Sequence, residues 1–243
     1  MVFGGLAASL STLTDTEKEL GVALVDIGGG TCDLCLFVEG SLAHSVVLPI
    51  GGKNITNDLA IGLRSSLDTA EKIKLELSRI NKKKETAYES EEEKKEKKDD
   101  TLDISKLSLT EDVGQLSKKT LVDGIIKPRL TEIFTLIGME IKRAGFSGLL
   151  PSGLVITGGA AETVGMAEVG KEVLRMPVRI ASPQGVVGLI DEISDPAYGA
   201  GTGLLLYGQT VSAPSGISIP SLPGLNLKGF FGKIISWLRG FLP

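Results

Sequence analysis

Residues 21–47 read GVALVDIGGGTCDLCLFVEGSLAHSVV: a buried strand, a glycine loop flanked by carboxylates, and a hairpin. Residues 22–27 are a short apolar run rich in β-branched side chains, as a buried strand requires. Gly28, Gly29 and Gly30 follow at once, then Thr31 and Asp33, while residues 32–38 resume as a second strand. Successive glycines put no side chain between backbone and ligand, so their N–H groups can turn inward around phosphate oxygens. Asp26 closes the first strand, where a carboxylate can hold Mg2+ directly or through its waters. Thr31 offers a hydroxyl to a phosphate, and Asp33 stands where a carboxylate could orient an attacking water. Without chemistry, the same residues are a glycine-rich turn between antiparallel strands. Glu39 and Gly40 make the next turn, and residues 41–48 alternate as the third strand of a meander.

Composition narrows what such a loop can serve. The chain has 243 residues, 42% hydrophobic and 23% charged, enough for a buried core in one or two domains. A net charge of −4 with 5% aromatic residues gives no footprint or stacking platform for nucleic acid, so none is expected as a partner. The opening MVFGGLAASLSTL has no basic region of a secretory signal, and a cytoplasmic chain is the expectation. Cys32 and Cys35 have CxxC spacing, but an odd separation within a strand sends them to opposite faces, and His44 is the only histidine. Metal or redox use of the cysteines is therefore not expected.

Outward from the loop, residues 6–20 read as a helix or loop leading into the first strand. Residues 49–52, PIGG, break the sheet, and Asn54 can cap a helix running toward Leu63. In DTAEKIKLELS, residues 68–78, Ala70, Ile73 and Leu77 form one apolar stripe, with Glu71 and Lys74 together on its flank. That pair reads either as a surface ion pair or as a ribose acceptor beside a lysine lying against a nucleotide. Residues 82–100 are a charge run too polar to join a core, read as a solvated loop or the projecting end of a helical pair. Residues 110–140 are patterned as helix, with Pro128 marking a kink or junction. LVITGGAA, residues 154–161, is a buried strand ending in a glycine pair before a helix, a turn that lets backbone approach a ring or phosphate. Residues 176–180 read as a strand and 201–207 as a closing helix.

Residues 211–225, VSAPSGISIPSLPGL, have linker composition with a reach of about 20 Å or more. Beyond them comes LKGFFGKIISWLRGFL, residues 227–242. At about 100° per residue, Phe230, Phe231, Ile234, Ile235, Trp237, Leu238 and Phe241 share one face, and Lys228, Lys233 and Arg239 the other. The segment is too short and too charged to span a bilayer; it fits an in-plane anchor whose cations meet anionic lipid headgroups. A helix that docks on the core is the alternative.

Taken in order, DIGGGTCD (26–33), AEKIK (70–74) and ITGGAA (156–161) resemble the second phosphate loop, adenosine-side helix and adenosine loop of actin/Hsp70-superfamily ATPases. With IGGKNITNDLA, LLPSGLVITGGAA and the terminal basic helix, the chain resembles the FtsA family of bacterial cell division proteins. The resemblance implies an α/β fold: an actin-like ATPase (RNase H-like) lobe, a mixed sheet with flanking helices, then a linker and a C-terminal amphipathic helix. It implies 1–20 as a remnant of an amino-terminal lobe and 21–61 with 151–207 as the core subdomain. It implies 62–150 as an inserted outer subdomain, 208–226 as the linker and 227–243 as the membrane helix. By the same resemblance ATP and Mg2+ are the cofactors: Asp26 serves the metal and Gly28, Gly29, Gly30 and Thr31 the phosphates. Asp33 serves the water, Glu71 and Lys74 the ribose, and Gly158, Gly159 and Ala160 the adenosine. FtsZ, other division proteins, anionic lipids and further copies of the chain are the implied partners, at the cytoplasmic face of the cell membrane at the division site.

The chain looks like the carboxy-terminal half of such a protein. Since phosphates in this fold are clamped between two lobes, it is expected to be at most a weak ATPase and inactive as an isolated half. A PilM-like scaffold for pilus assembly is the competing reading on the same fold, but it has no need of the terminal anchor. An Hsp70-type chaperone needs a β-rich substrate domain, and a sugar kinase needs a sugar site between two lobes. If the anchor reading holds, the full chain floats with anionic liposomes at low salt while a version ending at Gly208 stays in solution. Both versions remaining in solution would mean a docking helix instead.

Overall fold

A computed structural model describes residues 1–86, 100–104, 107, 109, 113–186 and 193–210, the side chains of 83–86 excepted. The chain divides into two units, Met1–Tyr207 and Gly208–Pro243, and the described fold is that of the first. The expected anchor at 227–243 and most of the 208–226 linker and the 82–100 charge run lie outside the described residues.

The meander forms as its alternation predicts, with β1 (Val22–Ile27), β2 (Cys32–Val38) and β3 (Ser41–Leu48). With β4 (Leu154–Thr157) and β5 (Val178–Ile180) it makes one five-stranded sheet of order β3-β2-β1-β4-β5. β1 pairs antiparallel with β2 and parallel with β4, and β4 parallel with β5, so the sheet is mixed as expected. A hairpin needs only a tight turn, whereas the parallel β1–β4 pair needs a long crossover, here residues 28–153. Every residue of β1 but Asp26 is buried, because helices cover both faces.

The larger face carries α3 (Gly52–Leu63), α4 (Leu67–Thr86), α6 (Lys127–Arg143) and α7 (Met166–Leu174). Ala70, Ile73 and Leu77 of α4 enter its core together, as their spacing predicts. Phe134 of α6 is fully buried there, its ring lying over Gly170 of α7: a Cβ on that glycine would stand 3.1 Å from the ring. The smaller face carries α1 (Gly4–Thr12), whose Ala8 packs with Val22, Leu24, Cys35 and Phe37. The 6–20 segment is thus α1 followed by α2 (Asp15–Leu20), the latter capped reciprocally by Thr14 and Glu17. Glu17 also reaches Arg179 of β5 at 2.7 Å. Cys32 and Cys35 fall in opposite cores, as their spacing requires, and burial beside Asp26 and Asp33 pushes both thiols up to about 12. They are packing residues.

Several boundaries differ from the sequence expectation. α3 begins at Gly52 rather than at Asn54: the Asn54 side chain reaches back to the Gly51 N–H at 2.9 Å, from inside the first turn. Residues 113–117 are not helical; α5 (Lys118–Leu121) opens on Ser117, whose hydroxyl accepts the Thr120 N–H. At Pro128 the chain widens into a π-helical turn, Val122–Ile126, in which the Lys127 N–H reaches back to the Val122 carbonyl. Proline has no N–H for the carbonyl four residues earlier, and the wider turn absorbs that mismatch. β5 is shorter than 176–180, and the closing helix α8 (Gly199–Thr210) runs past both ends of 201–207, into the start of the expected linker. Phe134→Ala is expected to cost about 3–5 kcal/mol of unfolding free energy, read from urea denaturation, since Gly170 cannot fill the void.

Candidate functional site

A cleft of about 550 Å3 opens where β1, β4, α3 and α4 meet. Gly28 and Gly29 form one wall, Gly52 and Lys53 the second, Glu71 and Lys74 the third, and Gly159 and Ala160 the fourth. Thr56, Asn57, Leu67 and Asp68 complete the lining. The β1–β2 loop is held by backbone alone: the Gly28 N–H donates to the Thr31 carbonyl at 2.9 Å. It is fastened to the start of α3, where Gly52 N–H donates to Gly28 O at 2.9 Å and Lys53 N–H to Gly29 O at 2.7 Å. Gly51 lets the two backbones approach, since a Cβ there would lie 2.7 Å from the Gly28 carbonyl oxygen. On the other side, Ala160 N–H donates to Ile27 O at 3.0 Å, which stitches the turn after β4 onto the end of β1. Gly158 has φ +92°, and a Cβ on it would meet Asp26 Oδ1 at 2.2 Å, so only glycine fits.

On α4, the Glu71–Lys74 pair is close, with 2.8 Å between Lys74 Nζ and Glu71 Oε2. Lys74 is buried at 7% exposure and also donates to Thr56 Oγ1 at 3.0 Å and to the Gly52 carbonyl at 3.4 Å. Thr56 in turn donates to Glu71. The lysine therefore ties α4 to the first turn of α3 and holds Glu71 in place, while Glu71 keeps an exposed edge toward the cleft.

Asp26 and Asp33 stand opposite each other across the β1–β2 pair. Strand alternation puts their side chains on the α1 face, with Leu24 and Cys35, and the Gly5 N–H at the start of α1 donates to Asp33. Burial, and then the neighbouring Asp33 charge, raise Asp26 to about 6. Burial raises Asp33 as well, against the Gly5 hydrogen bond. Two facing carboxylates, each resisting ionisation, are a hard-oxygen donor set that a divalent cation relieves, and magnesium asks for one or two carboxylates with waters around them. Among the described residues no three His, Cys, Asp or Glu side chains cluster as a metal site.

Of the residues singled out in the sequence, Gly28, Gly29, Glu71, Lys74, Gly159 and Ala160 come together around the cleft. Gly30 and Thr31 lie at the exposed loop tip, Gly158 packs on Asp26, and Asp26 and Asp33 sit on the other side of the loop from the cleft. Phe230, Phe231, Ile234, Ile235, Trp237, Leu238, Phe241, Lys228, Lys233 and Arg239 lie outside the described residues. Missed in the sequence were Gly51, Gly52, Lys53, Thr56 and Asn57. Their signal was a second glycine pair directly after a strand and directly before a helix.

The family model described as "Cell division protein FtsA" matches residues 23–203. The chain belongs to the FtsA family. It is 40% identical over 203 residues to the cell division protein FtsA of Pseudomonas aeruginosa, an alignment covering 84% of this chain and 46% of that protein. It is 32% identical over 250 aligned residues to the FtsA of Escherichia coli K12, covering 98% and 56%. The chain thus spans about half the length of these curated FtsA relatives. Among solved structures it is similar to MreB5 of Spiroplasma citri bound to ADP, with a TM-score of 0.62, 18% identity and coverage of 86% and 60%. It is similar also to the PilM–PilN type IV pilus biogenesis complex, with a TM-score of 0.57, 18% identity and coverage of 84% and 51%. The FtsA-family chain therefore has the actin-like ATPase fold, and the likeness to PilM is one of fold alone.

The acidic pair leaves a mark on stability. A carboxyl whose folded pKa lies above its unfolded value keeps its proton longer in the native state, so stability falls as pH rises from about 4 through about 6. Asp26→Asn is expected to match the unsubstituted chain at pH 4 and to exceed it by about 1–3 kcal/mol at pH 7.5 without divalent cations, read from denaturant unfolding at both pH values.

Proposed function

We propose that this FtsA-family chain binds ATP with Mg2+ in the cleft and serves as a peripheral membrane adapter. In this reading it tethers FtsZ filaments to the cytoplasmic face of the cell membrane at the division site and helps recruit other division proteins. One observation carries the nucleotide reading: three segments far apart in sequence, Gly28–Gly29, Glu71–Lys74 and Gly159–Ala160, line a single cleft of about 550 Å3. Glu71 accepts from a ribose hydroxyl, held in register by Lys74 and Thr56. The base lies over the Gly159–Ala160 backbone, where the Ala160 methyl is the one side chain, and the phosphates lie on the glycine loop with the Thr31 hydroxyl at its tip. Asp26 holds Mg2+, which when bound neutralises phosphate charge, and Asp33 orients water. Phosphoryl transfer rests on positioning and charge neutralisation around the phosphates, to which the glycine loop, Asp26 and Asp33 contribute in this reading.

Membrane attachment rests on the apolar and basic faces of residues 227–242, and no described helix is long and apolar enough to cross a membrane. Self-association into actin-like filaments is proposed from the family and fold. In a flotation assay with anionic liposomes and ATP, the chain is expected to carry FtsZ to the lipid fraction. Glu71→Ala is expected to weaken ATP binding by tenfold or more in calorimetry while still floating. Absence of ATP binding by the unsubstituted chain sinks the nucleotide reading, and FtsZ remaining at the bottom beside floated chain sinks the tether.

A further inference from the structure

We infer that Lys53 is the phosphate-reading residue of the cleft: its ammonium pairs with the β- and γ-phosphates and sets a preference for di- and triphosphates over a monophosphate or bare nucleoside. The inference rests on the nucleotide reading above and deepens it. Two lysines line the cleft, Lys53 and Lys74. An ammonium has three protons to give. Those of Lys74 meet Glu71 at 2.8 Å, Thr56 at 3.0 Å and the Gly52 carbonyl at 3.4 Å, and its side chain is buried, so it gives a phosphate nothing without breaking the floor of the cleft. Lys53 makes no ion pair with any described carboxylate and is exposed.

Its backbone and stem are placed by the glycine loop. The Lys53 N–H donates to the Gly29 carbonyl at 2.7 Å, which pins its backbone to the glycine loop. Its stem then lies across that loop: a Cβ built on Gly29 would find Lys53 Cε at 3.5 Å, Cγ at 3.8 Å and Cδ at 3.9 Å. An aliphatic stem resting on bare backbone leaves its charged end in water at the cleft mouth. The remaining charges work against an anion. Glu71 and Asp68 line the cleft, Asp68 paired with Lys72 at 2.8 Å, and Asp26 and Asp33 stand behind the loop. A polyphosphate lying on Gly28 and Gly29 therefore meets one uncommitted cation in the described lining, and its distal phosphates are the groups long enough to reach it. A nucleoside, bound through ribose and base, passes it by.

The test is a calorimetric series on the full chain with Mg2+ and adenosine, AMP, ADP and ATP, for the unsubstituted protein, Lys53→Met and Lys53→Arg. Lys53→Met keeps the stem and removes the charge. It is expected to weaken ATP and ADP about tenfold and adenosine less than twofold, and to flatten the salt dependence of ATP binding, with Lys53→Arg restoring both. The melting temperature should not move, since the side chain is exposed. Equal losses across the four ligands, or no loss for ATP, overturn the assignment of Lys53 while leaving the nucleotide reading intact. If the unsubstituted chain binds none of the four, the nucleotide reading fails and the assignment falls with it.

Discussion

Two backbone hydrogen bonds, from the Gly52 and Lys53 amides to the Gly28 and Gly29 carbonyls, hold the rest of the site in place. They join two chain segments whose close approach requires glycine at 51, where a Cβ would lie 2.7 Å from the Gly28 carbonyl oxygen and 2.9 Å from that of Gly29. Once the loop is fastened there, the first turn of α3 becomes a wall of the cleft. Thr56 follows one turn later and Lys74 reaches in from α4 to the same turn, so the ion pair with Glu71 is a consequence of that junction rather than a feature of α4 alone. An isolated Glu–Lys pair three apart on a solvated helix contributes tenths of a kcal/mol. Buried against α3, this one sets geometry.

The sheet separates two kinds of chemistry by face. Ala23, Val25 and Ile27 turn toward the helices that build the cleft, whereas Asp26 and Asp33 turn toward α1, where the Gly5 amide meets Asp33. The two meet only at the carboxyl end of β1, where the strand runs out into glycines. The parallel pairing of β1 with β4 places the Gly158–Ala160 turn at that same end, and Gly158 closes on the Asp26 carboxylate. Carboxylates on one side and the glycine-walled cleft on the other thus share one narrow strip of backbone, along which a ligand joining metal, phosphate and base can lie.

Outside this strip the structure serves to keep α3 still. Asp58, two residues beyond Thr56, accepts from Nε and Nη2 of Arg129 at 2.6 and 2.7 Å, tying α3 to α6 just after the π-helical turn. Glu140, further along α6, is held by Arg143 and by His44 of the edge strand at 2.9 Å. These contacts join the helices of the larger face to each other and to the sheet edge.

The strands and the glycine loop were legible because each is a local property: alternation and missing side chains are written in adjacent residues. Alternation even placed Cys32 and Cys35 on opposite faces. Helix starts were less legible, because Asn54 caps from within the first turn and Pro128 is accommodated by a π turn, and both outcomes depend on neighbours. The sequence by itself determined the elements, the family and the candidate residues of three motifs. Only the tertiary structure decided that residues 51–53 belong to the site, that Lys74 is spent in the protein, and that Asp26 and Asp33 lie behind the loop. The physical reason is that these depend on which groups come within hydrogen-bonding distance across 18 to 133 residues of chain, and close approach of that kind leaves no periodic trace in sequence.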